Sequence, residues 1–556
     1  MRESARQFIK NGISLSISAL VMRTVSVAFG AYLSDRIGAE GMGLYSLIMS
    51  IYTFAVTFAT SGVSLATTRL CSDALGRERP GEVRGALAQA LFYAFTFGAA
   101  ASVFLFFGAD FFGTVLLGDS RTVPSLRLLS AALVPIAVSS VFNGYFTAMR
   151  HAVKNAAVSM AEQVVRILLT SFALTLLLPH GMTYACLSLV AGSALSEIFS
   201  ALCLFLLYRA ERRHSPPVTL EKIPASAILR ITLPIAASSY IRSGLLSADH
   251  MLIPRALTRG GGSREEALAS YGVLSGMALP VLLYPTALLS SFAGLLVPEF
   301  AEGEARGTVL ENRRLCERAL RLTLLFGIAC GGLMTAFAGE LGQAIYHDAA
   351  AGRYIAILAP VIPVMYLDHV TDAMMKGVGL QFYSMVVNIL DSMGSILLVL
   401  LLLPRLGVSG YAYIIIAAEI FNFSLSVTGL HNKIRFSFRI GEWVLFPTAV
   451  ILLFSTLARR IPGAGAAGLI LRMALALLLY MLFLFSVYRL PGFFQKRRKR
   501  KDPPQGQATQ KGGPGARTAG EKMASTAGTV TAGEKMTRTA GTVTAGAGRL
   551  YSFGRR

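Results

Sequence analysis

Long apolar segments recur along almost the whole chain, and they limit the folds that it can adopt. Each is close to the roughly 20 residues that an α-helix needs to cross the hydrocarbon core of a bilayer, at about 1.5 Å per residue. Of the 556 residues, 54% are hydrophobic and only 15% are charged, which is more apolar surface than one or two water-soluble cores would bury. The pattern predicts an all-α, polytopic membrane protein.

We predict fourteen transmembrane helices arranged as two six-helix lobes and two further helices. Residues 1–209 form the predicted N-terminal lobe, 210–225 a cytosolic linker, 226–430 the C-terminal lobe and 431–490 helices 13 and 14. The predicted spans are 10–33, 42–66, 86–110, 126–149, 157–178, 184–208, 226–249, 270–297, 319–345, 355–376, 383–403, 408–430, 442–459 and 465–488.

The connections between these spans differ in their content of Lys and Arg. Connections with the run "RLCSDALGRERPGEVR" or "RAERRHSPPVTLEK" are strongly basic, and they all fall on one side of the membrane. Because cytoplasmic loops carry the excess of positive charge, this side is predicted to be the cytosol, together with both termini. No apolar segment with a small-residue cleavage site precedes the first span, which is therefore expected to be retained. The predicted location is a bacterial plasma membrane.

The formal net charge of +22 is concentrated at the C-terminal end. Fifteen Lys and Arg residues but only three acids follow residue 488, which leaves the membrane body at +10. The run "QKRRKRK" at 495–501 is expected to attract anionic membrane lipids, and nucleic-acid binding is not expected. Residues 491–556 are predicted to form a disordered cytosolic tail, because the Gly, Thr and Ala repeats after Lys501 cannot bury a core.

Sequence signatures of catalysis and metal binding are missing from the chain. The five cysteines show no CxxC or Cys/His spacing, and neither a P-loop after a strand nor an HExxH motif occurs. We therefore predict no enzymatic activity, no catalytic residue, no cofactor and no metal site, and we expect a monomer.

An internal repeat relates the two predicted lobes. The stretch "LVPIAVSSVFNGYFTAMRHAV" from residue 133 resembles "VIPVMYLDHVTDAMMKGVG" from residue 361, so that Pro135 matches Pro363 and Pro179 matches Pro404. The copies are six spans apart, and six is even, so both have the same orientation in the membrane. Such repeats are related by an axis along the membrane normal, with a central cavity between the lobes as the expected binding place.

Three charges lie four residues apart on the tenth predicted span. Lys376 aligns with Arg150 in the repeat and is interpreted as an anchor at the cytosolic surface, with Asp372 as its structural partner at i,i+4. Asp368 lies two turns deeper in the membrane. Because a charge at that depth is costly in lipid, Asp368 is expected to face the cavity or a partner.

Other predicted spans also carry charges. Glu162 and Arg166 are four residues apart and are interpreted as a structural pair. Asp249 and Asp368 are candidate substrate-binding residues, whereas Asp391 is a candidate structural or coupling charge. Glu197 and Glu419 lie within spans as well.

Arg23 and Arg242 open the two lobes, and neither has an acid three or four residues away. Guanidinium groups that face a cavity would suit a phosphate or a diphosphate, which they hold by paired hydrogen bonds. Alternatively, each arginine caps a backbone carbonyl or pairs with Glu197, Asp368 or Asp391 on another helix. The residues leave both interpretations open.

Several stretches resemble the stage V sporulation protein B group of polysaccharide exporters. They are "RIGAEGMGLYSL" at 36–47, "TSGVSLATTRL" at 60–70, "AEQVVRILLT" at 161–170 and "YGVLSGMALPVLLYPTALLSSFAGLLVPEFAE" at 271–302. The resemblance implies the fourteen-helix fold of the multidrug, oligosaccharidyl-lipid and polysaccharide flippase superfamily. It also implies transport of undecaprenyl-diphosphate-linked sugars to the outer leaflet. Related lipid II flippases have two more arginines where this chain has Phe29 and Ser275, so lipid II is the less expected substrate.

The predicted function is the flipping of a lipid-linked oligosaccharide or peptidoglycan-type precursor across the plasma membrane by alternating access, with the diphosphate against Arg23 and Arg242. A first alternative is an ion-coupled multidrug antiporter of the same fold, with Asp368 or Asp249 as the coupling site. A second is a membrane-embedded glycosyltransferase or ligase, although the longest outer connection, 250–269, offers few residues for chemistry.

Overall fold

The computed structural model of this chain describes residues 2–213, 221, 224–259, 261, 263–463 and 465–489. These residues are helical almost throughout and form no β-strand, which confirms the predicted fold class. The predicted tail, its basic run and most of the linker lie outside the described residues.

Eighteen α-helices are formed by the described residues. They are α1 (Arg2–Thr60), α2 (Val63–Gly76), α3 (Pro80–Asp110), α4 (Val123–Ser130), α5 (Leu133–Ala148), α6 (Ala152–Leu177), α7 (Met182–Arg213), α8 (Ala225–Arg259), α9 (Arg264–Gly272), α10 (Leu279–Leu282), α11 (Thr286–Ala305), α12 (Val309–Ala336), α13 (Ala338–Tyr346), α14 (Ala349–Leu358), α15 (Ile362–Gly377), α16 (Gln381–Ile434), α17 (Phe446–Arg459) and α18 (Gly465–Arg489).

Ten helical segments of the described residues are long and apolar enough to cross a membrane, or twelve when each of two bent helix pairs counts as one span. The chain is thus a multi-pass membrane protein. Two differences separate this count from the fourteen spans predicted. Ala19–Gly76 is one segment that covers most of the first predicted span and all of the second, and the charged α8, predicted as the seventh span, falls outside the apolar set. The total of fourteen transmembrane helices therefore stays a prediction.

Glycines divide the two longest helices at sharp kinks. Gly38 interrupts α1 with φ 67°, and Gly407 interrupts α16 with φ 63°. A side chain at either position would oppose this left-handed backbone, whereas glycine adopts it readily. Each kink lies between two predicted spans, and no separate loop is formed there.

The ninth predicted span, 319–345, was placed too late in the chain. The helix runs from Val309 to Ala336, and the separate α13 follows a break at Phe337. The basic stretch from 309 to 318 was assigned to a cytosolic connection because of its charges. Its residues nevertheless favour helix, and the charged first turns continue directly into the apolar part.

Helices α5 and α15 end in the same way, as the internal repeat predicts. In α5 the amide of Arg150 donates to the Thr147 carbonyl, and in α15 the amide of Gly379 donates to the Lys376 carbonyl. Both terminal residues have positive φ. This capping geometry aligns Lys376 with Thr147, so the predicted match between Lys376 and Arg150 was wrong by one turn.

A bend of 58° separates Arg264–Leu282 from α11. The amide of Thr286 donates to the Leu283 carbonyl rather than to that of Leu282. The freed Leu282 carbonyl accepts a hydrogen bond from the buried Tyr366 hydroxyl on α15, at 2.8 Å. At the same bend the Tyr284 hydroxyl lies 2.8 Å from the Thr24 hydroxyl on α1.

Candidate functional site

Helix α1, from the first half of the sequence, packs along a seam against α8, from the second half. Three side chains of α8 form hydrogen bonds with the part of α1 that follows the Gly38 kink, and their order along the two helices is antiparallel. These contacts are Tyr240 to the Phe58 carbonyl at 3.1 Å, Ser243 to the Thr57 hydroxyl at 3.1 Å and Ser247 to the Ser50 carbonyl at 2.9 Å. Ser243 and Ser247 on α8 face Thr57 and Ser50 on α1, and these small hydroxylated side chains allow the helices to approach closely there.

One end of the seam is closed by a contact between glycines. A Cβ atom at Gly272 would lie 2.0 Å from the Ala39 carbonyl oxygen and 2.5 Å from the Gly43 nitrogen. A Cβ atom at Gly43 would lie 2.0 Å from the Leu268 carbonyl oxygen. No side chain fits at either position without a shift of backbone, so the two halves touch here through their main chains.

Glu40, which follows Ala39 at this contact, belongs to a group of four charged residues that we name the Asp119 cluster: Glu40, Asp119, Arg121 and Arg264. Arg121 pairs with Asp119 at 2.8 Å and with Glu40 at 2.9 Å. Arg264, from the second half, donates to the Leu117 carbonyl at 2.7 Å and lies 3.7 Å from Asp119. The cluster therefore ties the two halves together.

Asp119 is the buried centre of this cluster, with 7% of its surface exposed. Burial alone would raise the pKa of its carboxyl, but the hydrogen bonds from Arg121 and the nearby charge of Arg264 hold that pKa below its ordinary value. Asp119 is thus an anion at neutral pH. Sequence reasoning missed this cluster, since its members are up to 224 positions apart and share no motif.

Both candidate arginines lie within electrostatic range of side chains on α15. Arg23 is within electrostatic range of Tyr366, and Arg242 is within range of Asp368 and Asp391. Among the described side chains neither arginine forms an ion pair within 4.0 Å. The buried Nε of Arg23 also has no hydrogen-bond partner there.

Four acids gather on α8, α15 and α16. Asp391 lies within electrostatic range of Asp249 and Asp368, and Glu419 within range of Asp368 and Asp391. Asp249 accepts a hydrogen bond from Ser395 at 3.1 Å, and Asp368 accepts one from Asn422 at 3.1 Å. One carboxylate oxygen each of Asp368 and Asp391 is buried without a described partner.

The predicted pairs at i,i+4 are present, and each has an additional partner on another helix. Arg166 contacts Glu162 at 2.5 Å and also reaches Glu197 at 3.4 Å. Lys376 contacts Asp372 at 2.6 Å, and Asp372 accepts a short hydrogen bond from Ser384 on α16. Their roles as structural pairs stay predictions.

A cavity of about 270 Å³ opens in the seam between α1, α8 and the helices that begin at Arg264. Its walls carry hydroxyl groups, two tyrosine rings and one imidazole. Sequence reasoning did not select these residues, because single Ser, Tyr and His residues on apolar helices resemble ordinary packing. Among the described residues, no group of three or more His, Cys, Asp or Glu is arranged to hold a metal ion.

Comparison with known proteins agrees with this architecture. A profile of the family described as "Polysaccharide biosynthesis protein" matches residues 8–304. Stage V sporulation protein B of Bacillus subtilis (strain 168) is 26% identical over 455 residues, which cover 80% of this chain and 88% of that protein. The family resemblance predicted from the sequence is thereby confirmed.

Solved structures share the fold at low sequence identity. "Lipid II flippase MurJ, inward closed conformation" aligns with a TM-score of 0.64 at 14% identity, over 86% of this chain and 99% of that one. An inward-facing multidrug resistance MATE family transporter aligns with a TM-score of 0.63 at 15% identity, over 76% and 98%. These two similarities establish the fold and do not choose between the two kinds of cargo.

Proposed function

Because the chain belongs to the polysaccharide biosynthesis protein family, we propose that it moves a lipid-linked oligosaccharide across the membrane by alternating access. Stage V sporulation protein B is a relative of this chain, and one solved structure of the same fold is a lipid II flippase. In this proposal the sugar head group passes between the two halves of the chain, and the polyprenyl tail stays in lipid.

One observation supports the proposal: Arg23 and Arg242, from the first helix of each half, both lie within electrostatic range of α15 side chains and have no described ion pair. A guanidinium group within a membrane protein is costly unless an anion or water meets it. A diphosphate presents several oxygens to such groups, and two planar forks can hold it by charge-assisted hydrogen bonds. The neighbouring acids offset part of the positive charge of the arginines.

A binding titration tests this role. The purified protein is titrated with farnesyl-diphosphate-linked N-acetylglucosamine, a soluble short-chain analogue of a polyprenyl-linked sugar. Replacing Arg23 or Arg242 by Ala should weaken binding by about 1.5–3 kcal/mol, the scale of a charge-assisted hydrogen bond. Lys should restore only part of the loss, because it keeps the charge but not the fork. Arg353→Ala, at an exposed position of α14, is the matched control. Unchanged affinity in both Arg→Ala proteins would discard the diphosphate site.

The closed seam suggests a direction of access. If the Asp119 cluster faces outward, as the predicted orientation requires, the structure represents a state closed to the outside. Solved structures with this fold include two in inward conformations, with TM-scores of 0.63 and 0.64, and one in an outward-facing conformation, with a TM-score of 0.58. Both termini are then cytosolic, in a bacterial plasma membrane. Labelling from outside of a Cys placed in 435–439 would contradict that orientation.

A second candidate is an ion-coupled multidrug antiporter, which the four acids of the second half favour. Asp368 and Asp391 each retain an oxygen without a described partner, and a proton or a cation could occupy that position. Efflux of a cationic dye from proteoliposomes that depends on Asp368 would support this candidate. Lipid flipping without dye efflux would exclude it.

The glycosyltransferase or ligase alternative gains no support from the outer connection. Its described part continues α8 to Arg259 and then places Arg264 in the Asp119 cluster. We therefore propose transport without a change in the cargo. Mass spectrometry of the lipid-linked sugar before and after transport tests this, and a changed mass would restore the enzyme alternative.

A further inference from the structure

The seam cavity lies directly inside the glycine contact. Ser46 is one turn beyond Gly43, and Ser275 is one turn beyond Gly272, and both serines line the cavity. The cavity therefore ends where the two halves close on each other. The part of a cargo that binds in this cavity would be the first to reach the far side of the membrane when the seam opens.

The wall of the cavity is uncharged and amphipathic, and more of its surface is apolar than polar. Ser46, Ser243 and Ser275 contribute hydroxyl groups, and Tyr45 and Tyr271 contribute aromatic surface. None of the described residues that line it is Asp, Glu, Lys or Arg. A cationic drug or a phosphate would lack a counter-charge here, whereas a neutral molecule with many hydroxyl groups would find both donors and acceptors.

The imidazole ring of His250 is a polar group of this wall whose orientation is held by a hydrogen bond. Its Nδ1 lies 3.0 Å from the Tyr271 hydroxyl, which orients the ring and leaves Nε2 for another partner. If Tyr271 donates to Nδ1, then Nε2 carries the proton and is a donor. If Nδ1 donates instead, Nε2 is an acceptor. A sugar hydroxyl both donates and accepts, so it can pair with either tautomer.

The cavity also lies at a suitable distance from the proposed diphosphate site. Arg242 and His250 are eight residues apart on α8, or about 12 Å along the helix axis. One or two sugar units that follow a diphosphate held at Arg242 would span this distance. The cavity volume of about 270 Å³ leaves room for one such unit.

We propose that the seam cavity binds a neutral sugar of the head group, so that the cargo enters with its glycan directed toward the Gly43–Gly272 contact. The proposal rests on the proposed function and assigns His250, Ser46 and Ser275 to sugar binding. Arg23 and Arg242 hold the diphosphate on the side of the sugar that faces away from the Gly43–Gly272 contact.

Two probes separate the sugar site from the diphosphate site: farnesyl diphosphate, and farnesyl-diphosphate-linked N-acetylglucosamine. We expect the full-length protein to bind the glycosylated probe about tenfold more tightly, as two or three sugar hydrogen bonds would give. His250→Phe and Ser46→Ala should each reduce that preference by about threefold to tenfold and leave the affinity for farnesyl diphosphate unchanged. His250→Gln, which keeps a polar atom, should retain part of the preference. His180→Phe, at an exposed loop histidine, is the matched control.

The outcomes distinguish failure of this proposal from failure of the proposed function. If both probes bind equally well and both depend on Arg23 and Arg242, the sugar site is refuted and the diphosphate site stands. If His250→Phe and Ser46→Ala weaken both probes by the same factor, they act on the fold and the sugar site is refuted as well. If neither probe depends on the arginines, the proposed function fails independently.

Discussion

Replacing Gly272 by Ala should move the two halves of the protein apart at the closed end of the seam. The added methyl group would lie 2.0 Å from the Ala39 carbonyl oxygen, whereas ordinary contact begins near 3.4 Å. Neither the carbonyl nor the Gly43 backbone can turn away as a flexible side chain would. The helices must therefore separate by more than 1 Å, or the closed state must become less populated.

The magnitude follows from the cost of such overpacking, which is about 1–3 kcal/mol. In an alternating-access protein this strain applies only to the state in which the seam is closed. Since each 1.4 kcal/mol changes an equilibrium about tenfold, we expect the open population to rise by roughly fivefold to more than a hundredfold. The total stability need not fall by the same amount, because the open state relieves the contact.

The assay measures access to the cavity from the predicted outer side. A single Cys replaces Ser275 in a background in which the five native cysteines have been replaced, and a membrane-impermeant maleimide is added to right-side-out or inside-out vesicles. Gly272→Ala should accelerate labelling in right-side-out vesicles and slow it in inside-out vesicles. Gly294→Ala on α11 is the matched control, because nothing lies within 4 Å of its added Cβ.

Two results would refute this reasoning. Unchanged labelling rates on both sides, with a correctly folded Gly272→Ala protein, would mean that the contact does not oppose opening. Faster labelling in inside-out vesicles would mean that the glycine contact faces the cytosol and that the predicted orientation is inverted.

Three further predictions concern the charged groups and the tail. Arg264→Ala should shift the labelling in the same direction by fivefold or less, because a partly exposed ion pair contributes about 1 kcal/mol or less, and a shift toward the closed state would contradict a clamping role for Asp119. The double mutant Asp372→Lys with Lys376→Asp should keep most of the flipping activity in proteoliposomes, and an inactive but well-expressed double mutant would give the pair a role in transport. Truncation after Lys501 should leave flipping intact, and loss of flipping at unchanged membrane abundance would assign the tail a function.

Local geometry explains which contacts could be predicted from the sequence. Glu162 and Arg166, like Asp372 and Lys376, are four residues apart, and any helix brings such positions together. Their partners on other helices, Glu197 and Ser384, could not be predicted, because they depend on how the helices are oriented about their axes.

The contacts in the seam show more clearly what could not be predicted from the sequence. Gly43 and Gly272 are 229 positions apart, and the glycines of a membrane helix can serve packing, kinking or backbone access equally well. The internal repeat predicted that two halves exist, but it gave no information on which faces they present to each other. Asp119 and Arg264 lie in connections of little apparent chemistry, and only the tertiary fold brings them together.

Hydrophobic composition predicted the membrane class and failed at particular boundaries. The α8 helix carries Arg242 and Asp249 and is therefore less apolar than a typical span, although it forms one side of the seam. At α12 the charges before residue 319 concealed helical turns that continue beyond the apolar stretch. In both cases charge marked a contact or an interface rather than the end of a helix.

The Tyr366 hydrogen bond at the bend before α11 restricts how this protein can change shape. Straightening the bend would require the Leu282 carbonyl to exchange its partner inside the membrane, where an unpaired carbonyl costs several kcal/mol. The segment Arg264–Leu282 and α11 are thus expected to keep their angle throughout the transport cycle. This bent pair is then expected to move as a rigid unit. The conformational change takes place at the surfaces between helices, which slide or separate while each helix keeps its internal hydrogen bonds.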